Sequence, residues 1–218
     1  MKKHILCVGD SNTHGYCADP CDCADGVLLR FCEGERWTSL LQTALGEEYL
    51  VIEEGLSGRT TVFRDPLYEG LAAMDYIVPC LKSHEPIALL LLMLGTNDTK
   101  ERFAANAACI ALGMERLVHK AQAVDCWGSA AMPNILIVSP PVIDPRMECS
   151  VVGPCMGAGC AAKSRQLPPL LAEVAQRTGC HYLSAEGCEL NSVDYMHLTR
   201  HGHAQLAALL ARTIPILL

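Results

Sequence analysis

Aromatic residues and clustered positive charge are both scarce in this sequence. Phe, Trp and Tyr together make up 5% of the 218 residues, so the hydrophobic core must rely on aliphatic side chains. The formal net charge is -7, and no basic cluster is longer than Lys2-Lys3. A protein that binds nucleic acid needs a basic surface to follow the phosphate backbone. We therefore expect small-molecule partners and no nucleic acid.

Long apolar runs are absent as well. The longest, residues 87–94, has eight residues, whereas a helix needs about 20 to cross a bilayer. The apolar run after Lys2-Lys3 ends at Gly9 and is too short for the hydrophobic region of a secretory signal. These features predict a cytoplasmic protein that does not bind a membrane.

Cysteine is abundant, but the spacing typical of a structural zinc site is missing. Two groups of cysteines are close in sequence, and neither contains a Cys-x-x-Cys pair. They are Cys17, Cys21, Cys23 and Cys32, and Cys149, Cys155 and Cys160. The 13 cysteines cannot all pair within one chain, and a reducing compartment keeps thiols free. We expect mostly reduced thiols and no bound metal, with zinc at these groups as the alternative.

Apolar runs alternate with helical patterns along the chain. This alternation predicts parallel strands joined by crossover helices in a single domain, residues 1–218. The strands are expected at residues 4–8, 49–52, 87–94, 134–138 and 181–184. The helices are expected at residues 36–45, 69–83, 103–124, 163–178 and 200–212, with Pro168-Pro169 beginning or bending the fourth helix.

Two segments lack a regular period, residues 10–35 and 142–162, and long loops of this kind usually serve function. We expect residues 142–162 to pack over a site as a loop. On the third helix, the apolar side chains available for a buried face are Ile110, Leu112, Met114, Leu117 and Val118.

The most informative stretch is residues 7–15, where the first strand ends in a glycine-flanked turn that contains Ser11. A serine hydroxyl is a weak nucleophile at neutral pH, so catalysis needs a base and an orienting carboxylate. Asp194 and His197 suit these two roles, since their spacing lets both face the same side of one turn. Thr199 follows them, where it can cap the last helix.

Two further turns follow strands, and they contain Gly58 and Asn97. In an open parallel sheet the active site lies beyond the carboxyl ends of the strands. The backbone N–H groups of Ser11 and Gly58 and the side-chain amide of Asn97 can therefore converge on one developing negative charge. Each residue has a plainer explanation: Ser11 as a helix cap, Asn97 as a turn former and Gly58 as a backbone requirement. Their convergence favours an oxyanion hole.

At these residues the sequence resembles the SGNH, or GDSL-type, hydrolase superfamily, whose four motif blocks occur here in the same order. The resemblance covers nearly the whole chain. Four segments are similar to the branch that contains bacterial aryl esterases and acyltransferases: residues 5–7, 36–38, 51–61 and 93–100.

The resemblance implies a fold, a site and an assembly. The fold is a three-layer α/β/α sandwich with a five-stranded parallel sheet, flavodoxin-like in topology. Ser11 is the nucleophile, Asp194 and His197 complete the triad, and Gly58 and Asn97 are oxyanion partners. No cofactor is expected, and the branch implies a homo-oligomer, for which an octamer is one arrangement.

One departure from the superfamily is visible, because Asn12 stands where the Gly-Asp-Ser-Leu motif has leucine. Asn12 and His14, both near Ser11 in sequence, are candidate substrate-binding residues. The expected function is hydrolysis of short-chain, acetyl-like esters of aryl, alkyl or sugar alcohols through an acyl-serine, with acyl transfer to alcohols as a second outcome. The alternatives are a thioesterase or lysophospholipase of the same superfamily, and a catalytically dead ligand-binding module.

Overall fold

The computed structural model describes residues 1–128 and 132–218, which include a parallel sheet of five strands. The strands are β1 (Lys3–Gly9), β2 (Tyr49–Gly55), β3 (Ile87–Met93), β4 (Ile135–Ser139) and β5 (His181–Ser184). Their spatial order is β2-β1-β3-β4-β5, and each neighbouring pair is parallel. This is the order of flavodoxin-like sheets, so the predicted fold class is confirmed.

Helices cover both faces of the sheet. The longer helices are α2 (Trp37–Leu45), α3 (Ala73–Ser83), α4 (Ala107–Gln122), α6 (Cys160–Thr178) and α7 (Arg200–Leu217), and the two short ones are α1 (Ser11–His14) and α5 (Gly153–Met156). Leu90 and Leu92 of β3 pack into the core with α3, α4 and α6, whereas Leu89 and Leu91 pack with α2 and α7. Because successive strand side chains point to opposite faces, β3 is apolar throughout.

Two helices extend beyond their predicted limits. Helix α6 begins at Cys160, whose buried thiol donates to the backbone oxygen of Thr99 at 3.3 Å and so joins the first helical turn to the loop after β3. It continues through Pro168 and Pro169, and the carbonyl of Pro168 accepts a hydrogen bond from the Tyr182 hydroxyl at 2.9 Å. Helix α7 likewise passes Arg212 and ends at Leu217.

The prediction for Leu112 is wrong, since this side chain is 60% exposed. The buried face of α4 is formed by Ile110, Met114, Leu117, Val118 and Ala121, which repeat every three or four residues. Leu112 lies two residues from Ile110, about 200° around the helix, and therefore faces outward.

The segment 142–162 is more regular than expected. It contains a 3₁₀ turn at Pro145–Cys149 and the short helix α5, and it ends in the first turn of α6. All 13 cysteines lie in the described residues and are free thiols. None of the helices described is both long enough and apolar enough to span a bilayer.

Candidate active site

Ser11 is the first residue of α1, directly beyond the carboxyl end of β1. The Asp10 side chain caps this helix, because its Oδ1 accepts the backbone N–H of Asn12 at 3.0 Å. Gly15 ends the helix after four residues with a φ of 84°, a left-handed conformation that suits glycine. The short helix places the Ser11 hydroxyl at the edge of the sheet where the site was expected.

Ser11, His197 and Asp194 form a continuous chain of hydrogen bonds. The distance from His197 Nδ1 to Asp194 Oδ2 is 2.6 Å, and from His197 Nε2 to Ser11 Oγ it is 2.7 Å. An ionised carboxylate can only accept, so Nδ1 holds the ring proton and the neutral ring presents the Nε2 lone pair to Ser11. The Ser11 hydroxyl therefore donates to His197.

The Asp194 carboxylate is fully buried and saturated with hydrogen bonds. Its Oδ1 accepts the Asn191 side-chain amide at 2.9 Å and the backbone N–H groups of Met196 and His197, each at 3.1 Å. Burial by itself would raise the pKa of Asp194. The hydrogen bond and charge of His197, with these further donors, outweigh burial and lower the pKa to about 2. Asp194 therefore remains ionised at neutral pH.

Asn191 is a supporting residue that sequence reasoning missed. Its Oδ1 accepts the backbone N–H groups of Val193 and Asp194 at 2.8 Å, and its Nδ2 also donates to the His197 carbonyl at 2.8 Å. Thr199 caps α7 by accepting the Gly202 N–H at 2.9 Å, as its position indicated. These bonds hold the loop that carries Asp194 and His197.

Gly58 and Asn97 lie on two loops beside Ser11, and all three residues line one cavity. Gly58 has a φ of 87° in the turn after β2, which again suits glycine. Asn97 begins a 3₁₀ turn after β3 and is 4% exposed. Its Nδ2 has no hydrogen-bond partner within the described residues. A buried donor without a partner is costly unless a ligand satisfies it.

Asp98 joins the Asn97 turn to the loop that follows Gly58. Its Oδ1 accepts the backbone N–H of Thr61 at 2.9 Å and also the Thr61 hydroxyl. Burial raises the pKa of Asp98 to about 6, although the Thr61 donors oppose this shift. This contact keeps the two candidate oxyanion loops in a constant relation to each other.

The cavity at Ser11 has a volume of about 580 Å³ and a predominantly apolar wall. Its apolar side chains outside the predicted blocks include Leu67, Leu71, Val152 and Met156. Tyr16 also lines it, and the centroid of its ring lies 4.6 Å from that of His197. Val152 and Met156 lie in the segment 142–162, which was expected to pack over the site, whereas sequence reasoning missed Leu67, Leu71 and Tyr16. The only available signal was for Tyr16, the sole Phe, Trp or Tyr in the segment 10–30.

Asn12 and His14, the two predicted substrate-binding residues, are not among the residues that line this cavity. Asn12 is 1% exposed, and its side chain bonds to the backbone on both sides of His197. His14 follows on α1, on the side where Arg30 lies. Burial, followed by the nearby Arg30 charge, lowers the pKa of His14. The helical turn after Ser11 directs both side chains away from the cavity.

Among the residues that the structure describes, one group has metal-type ligands close together: Glu54, Cys80 and His84. It lies apart from the Ser11 cavity, and its polar atoms already have protein partners. Glu54 contacts His84 Nε2 at 2.9 Å and accepts the Tyr76 hydroxyl at 3.1 Å. The nearby Arg59 guanidinium opposes a second cation here. We assign this group a bracing role between β2 and α3.

Comparisons with known proteins bear on the family and the fold. The sequence profile of the GDSL-like lipase/acylhydrolase family matches residues 7–205. An aryl esterase from M. smegmatis is 34% identical, with 99% of this chain and 100% of that chain covered and a TM-score of 0.86. A carbohydrate acetylesterase from Sinorhizobium meliloti is 33% identical, with 100% of both chains covered and a TM-score of 0.85. No curated protein matches the sequence.

Proposed function

The chain belongs to the GDSL-like lipase/acylhydrolase family and is a carboxylic ester hydrolase, and we propose that it cleaves short-chain, acetyl-like esters through an acyl-serine at Ser11. The observation that carries the proposal is the 2.7 Å contact between Ser11 Oγ and His197 Nε2 at the wall of the cavity. That contact gives the hydroxyl a base, and the base has its own buried carboxylate.

In the proposed first half-reaction, Ser11 Oγ attacks the ester carbonyl carbon and its proton passes to His197 Nε2. The ester C–O bond then breaks, and the alcohol leaves with that proton. In the second half-reaction, water attacks the acyl carbon and gives a proton to His197, and the bond to Ser11 Oγ breaks as this oxygen regains the proton. Asp194 stays ionised throughout and stabilises the imidazolium that forms twice in each cycle.

The negative charge on the carbonyl oxygen needs donors that are already in place. We assign these donors to the backbone N–H groups of Ser11 and Gly58 and to Asn97 Nδ2. Asn97 Nδ2 has no acceptor among the described residues, and this supports the role because the oxyanion would supply one. Fixed donors in a cavity with few polar groups stabilise the transition state without first having to reorient.

Two solved relatives suggest the class of ester. The aryl esterase and the carbohydrate acetylesterase each share about a third of their residues with this chain over its whole length. The cavity here is large enough for an aromatic or sugar ring, and Tyr16, Leu67 and Leu71 offer apolar surface for one. We therefore propose acetyl esters of aryl, alkyl or sugar alcohols as substrates.

Acyl transfer to an alcohol is a second outcome of the same intermediate. The predominantly apolar cavity wall favours acyl transfer, because an organic alcohol binds to an apolar surface more readily than water does. The balance is measurable by adding an alcohol to an ester assay and comparing the yields of new ester and free acid. Formation of acid alone, at every alcohol concentration, would limit the enzyme to hydrolysis.

A fluorophosphonate probe tests the nucleophile, and a panel of esters tests the substrate class. We expect labelling of the native protein at Ser11 and none of Ser11→Ala. In the panel, acetyl esters should exceed long-chain acyl esters in kcat/KM when the alcohol is unchanged. Faster turnover of long-chain esters or of thioesters would favour a lysophospholipase or a thioesterase. A folded protein that never labels would indicate a ligand-binding module.

A further inference from the structure

The side chain of Asn12 forms hydrogen bonds on both sides of His197. Its Oδ1 accepts the backbone N–H of Leu198 at 2.9 Å, and its Nδ2 donates to the carbonyl of Met196 at 3.3 Å. The planar amide thus acts as a two-pronged clip across the residue that contacts Ser11. We infer that Asn12 is a positioning residue that sets the distance between His197 and Ser11, an inference that rests on the proposed function.

The opposite end of this clip is anchored as well. Asn12 directly follows Ser11 on α1, and its backbone N–H donates to Asp10 Oδ1 at 3.0 Å. Its backbone carbonyl accepts the Trp37 indole N–H at 3.1 Å, and Trp37 itself is completely buried in the core. The Asn12 backbone therefore belongs to the nucleophile turn, while its side chain belongs to the loop of the base.

Few other bonds connect these two parts of the site. In the described residues, hydrogen bonds between α1 and residues 194–198 are the Ser11–His197 contact itself and the two from Asn12. Asn191 and Asp194 orient His197 from within its own loop, so they do not determine where that loop lies relative to Ser11. Asn12 supplies this connection across 184 to 186 positions of sequence.

The chemistry of the clip requires an amide. Met196 offers an acceptor and Leu198 a donor, so the side chain between them must supply one of each in a single plane. The leucine that is usual after the family serine has neither group and would leave both buried backbone groups without these partners. Proton transfer depends on a Ser11–His197 distance near 2.7 Å, and a shift of about 1 Å can cost about 100-fold in rate.

The decisive variants are Asn12→Leu and Asn12→Asp, with Asn134→Leu as the matched control. The Asn134 amide also bonds to backbone, donating to Ala88 and Leu217, but it lies outside the Ser11 cavity. For Asn12→Leu we expect kcat, and the rate of fluorophosphonate labelling, to fall about 100-fold with little change in KM. Asn134→Leu should lower the melting temperature while the folded fraction keeps its kcat.

Asn12→Asp separates positioning from mere support of the fold. An ionised carboxylate can accept from Leu198 but repels the Met196 carbonyl, whereas a protonated carboxyl both accepts and donates, like the amide. We therefore divide the activity of Asn12→Asp by that of the native enzyme at the same pH. This ratio should rise as the pH is lowered from about 8 to about 5, because the carboxyl becomes protonated. This ratio remains measurable if Asn12→Leu does not fold.

The outcomes distinguish this inference from the function on which it rests. Native protein that fails to label would overturn the proposed function and this inference with it. Native protein that labels, with Asn12→Leu labelling equally fast and only less stable, would overturn the positioning role alone. A ratio of Asn12→Asp activity to native activity that stays constant across the pH range would also overturn the positioning role alone.

Discussion

The backbone N–H of Trp37 donates to Nδ1 of His203 at 3.2 Å, in the interior between α2 and α7. His203 is fully buried, and its ring meets that of Phe31 edge-on, with centroids 4.9 Å apart. Its Nδ1 must be unprotonated to accept from Trp37, so the folded protein holds this histidine neutral. Burial, together with the charges of His197 and Arg36, lowers its pKa to about 3.

This arrangement predicts a loss of stability in acid. Between about pH 6.5 and about pH 3 the unfolded chain binds a proton at His203 that the folded protein does not, so the free energy of unfolding falls as pH falls. The slope from this group is at most about 1.4 kcal/mol per pH unit. Urea unfolding of the native protein and of His203→Asn, which does not titrate, measures it. Equal slopes for the two proteins would contradict the prediction.

Asn97→Ala should remove one oxyanion donor and leave Ser11 intact. We expect kcat to fall about 100- to 1,000-fold, or about 2.7 to 4 kcal/mol of barrier, with little change in KM. The matched control is Asn106→Ala, because Asn106 caps α4 through the Cys109 N–H and should affect stability only. Full turnover by Asn97→Ala, with loss of turnover in His14→Ala, would require a different oxyanion hole and a different base.

Asp194→Asn should impair the base while preserving its shape. The introduced amide can donate to Nδ1, which favours the tautomer with the proton on Nε2, and that tautomer cannot take the Ser11 proton. We expect kcat to fall about 10,000-fold, more than for Asn97→Ala and less than for Ser11→Ala. Steady-state assays at neutral pH test the order. Asp75→Asn, which removes a surface pair with Arg64, should keep native turnover.

Several large apolar side chains face solvent in a single chain, and on this basis we propose that the protein is a homo-oligomer. Val27 and Leu28 in the segment 10–35 and Val151 in the segment 142–162 are 90%, 72% and 79% exposed. Light scattering at micromolar concentration should give a mass at least twice that of the 23.6 kDa chain. A monomeric mass would contradict the proposal.

Charged substitutions at exposed apolar positions test where the subunits of the proposed homo-oligomer meet. The double substitution Val27→Asp with Leu28→Asp should lower the mass, because it would bury charge between subunits. Ile216→Asp, at another exposed apolar position near the end of α7, tests whether the effect is confined to the segment 10–35.

Local sequence was sufficient for the strands and for the identity of the candidate triad. Strands buried on both faces must be apolar throughout, as β3 is, and the turns that follow parallel strands meet at one edge of the sheet. Ser11, Gly58 and Asn97 could therefore be grouped before any distance was known, and the motif order added Asp194 and His197. Helix ends were less certain, because packing allowed α6 and α7 to continue through prolines.

Tertiary structure alone decided what the neighbours of Ser11 do. Asn12 was expected to contact substrate because it adjoins Ser11 in sequence, but a helical turn rotates each residue about 100° from the one before it. That rotation directs Asn12 to the backbone of Met196 and Leu198, more than 180 positions away. Leu67 and Leu71 of the cavity wall were equally hidden from the sequence. Such contacts join segments that are distant in sequence. Periodicity relates only residues that are near one another along the chain, and it therefore cannot predict these contacts.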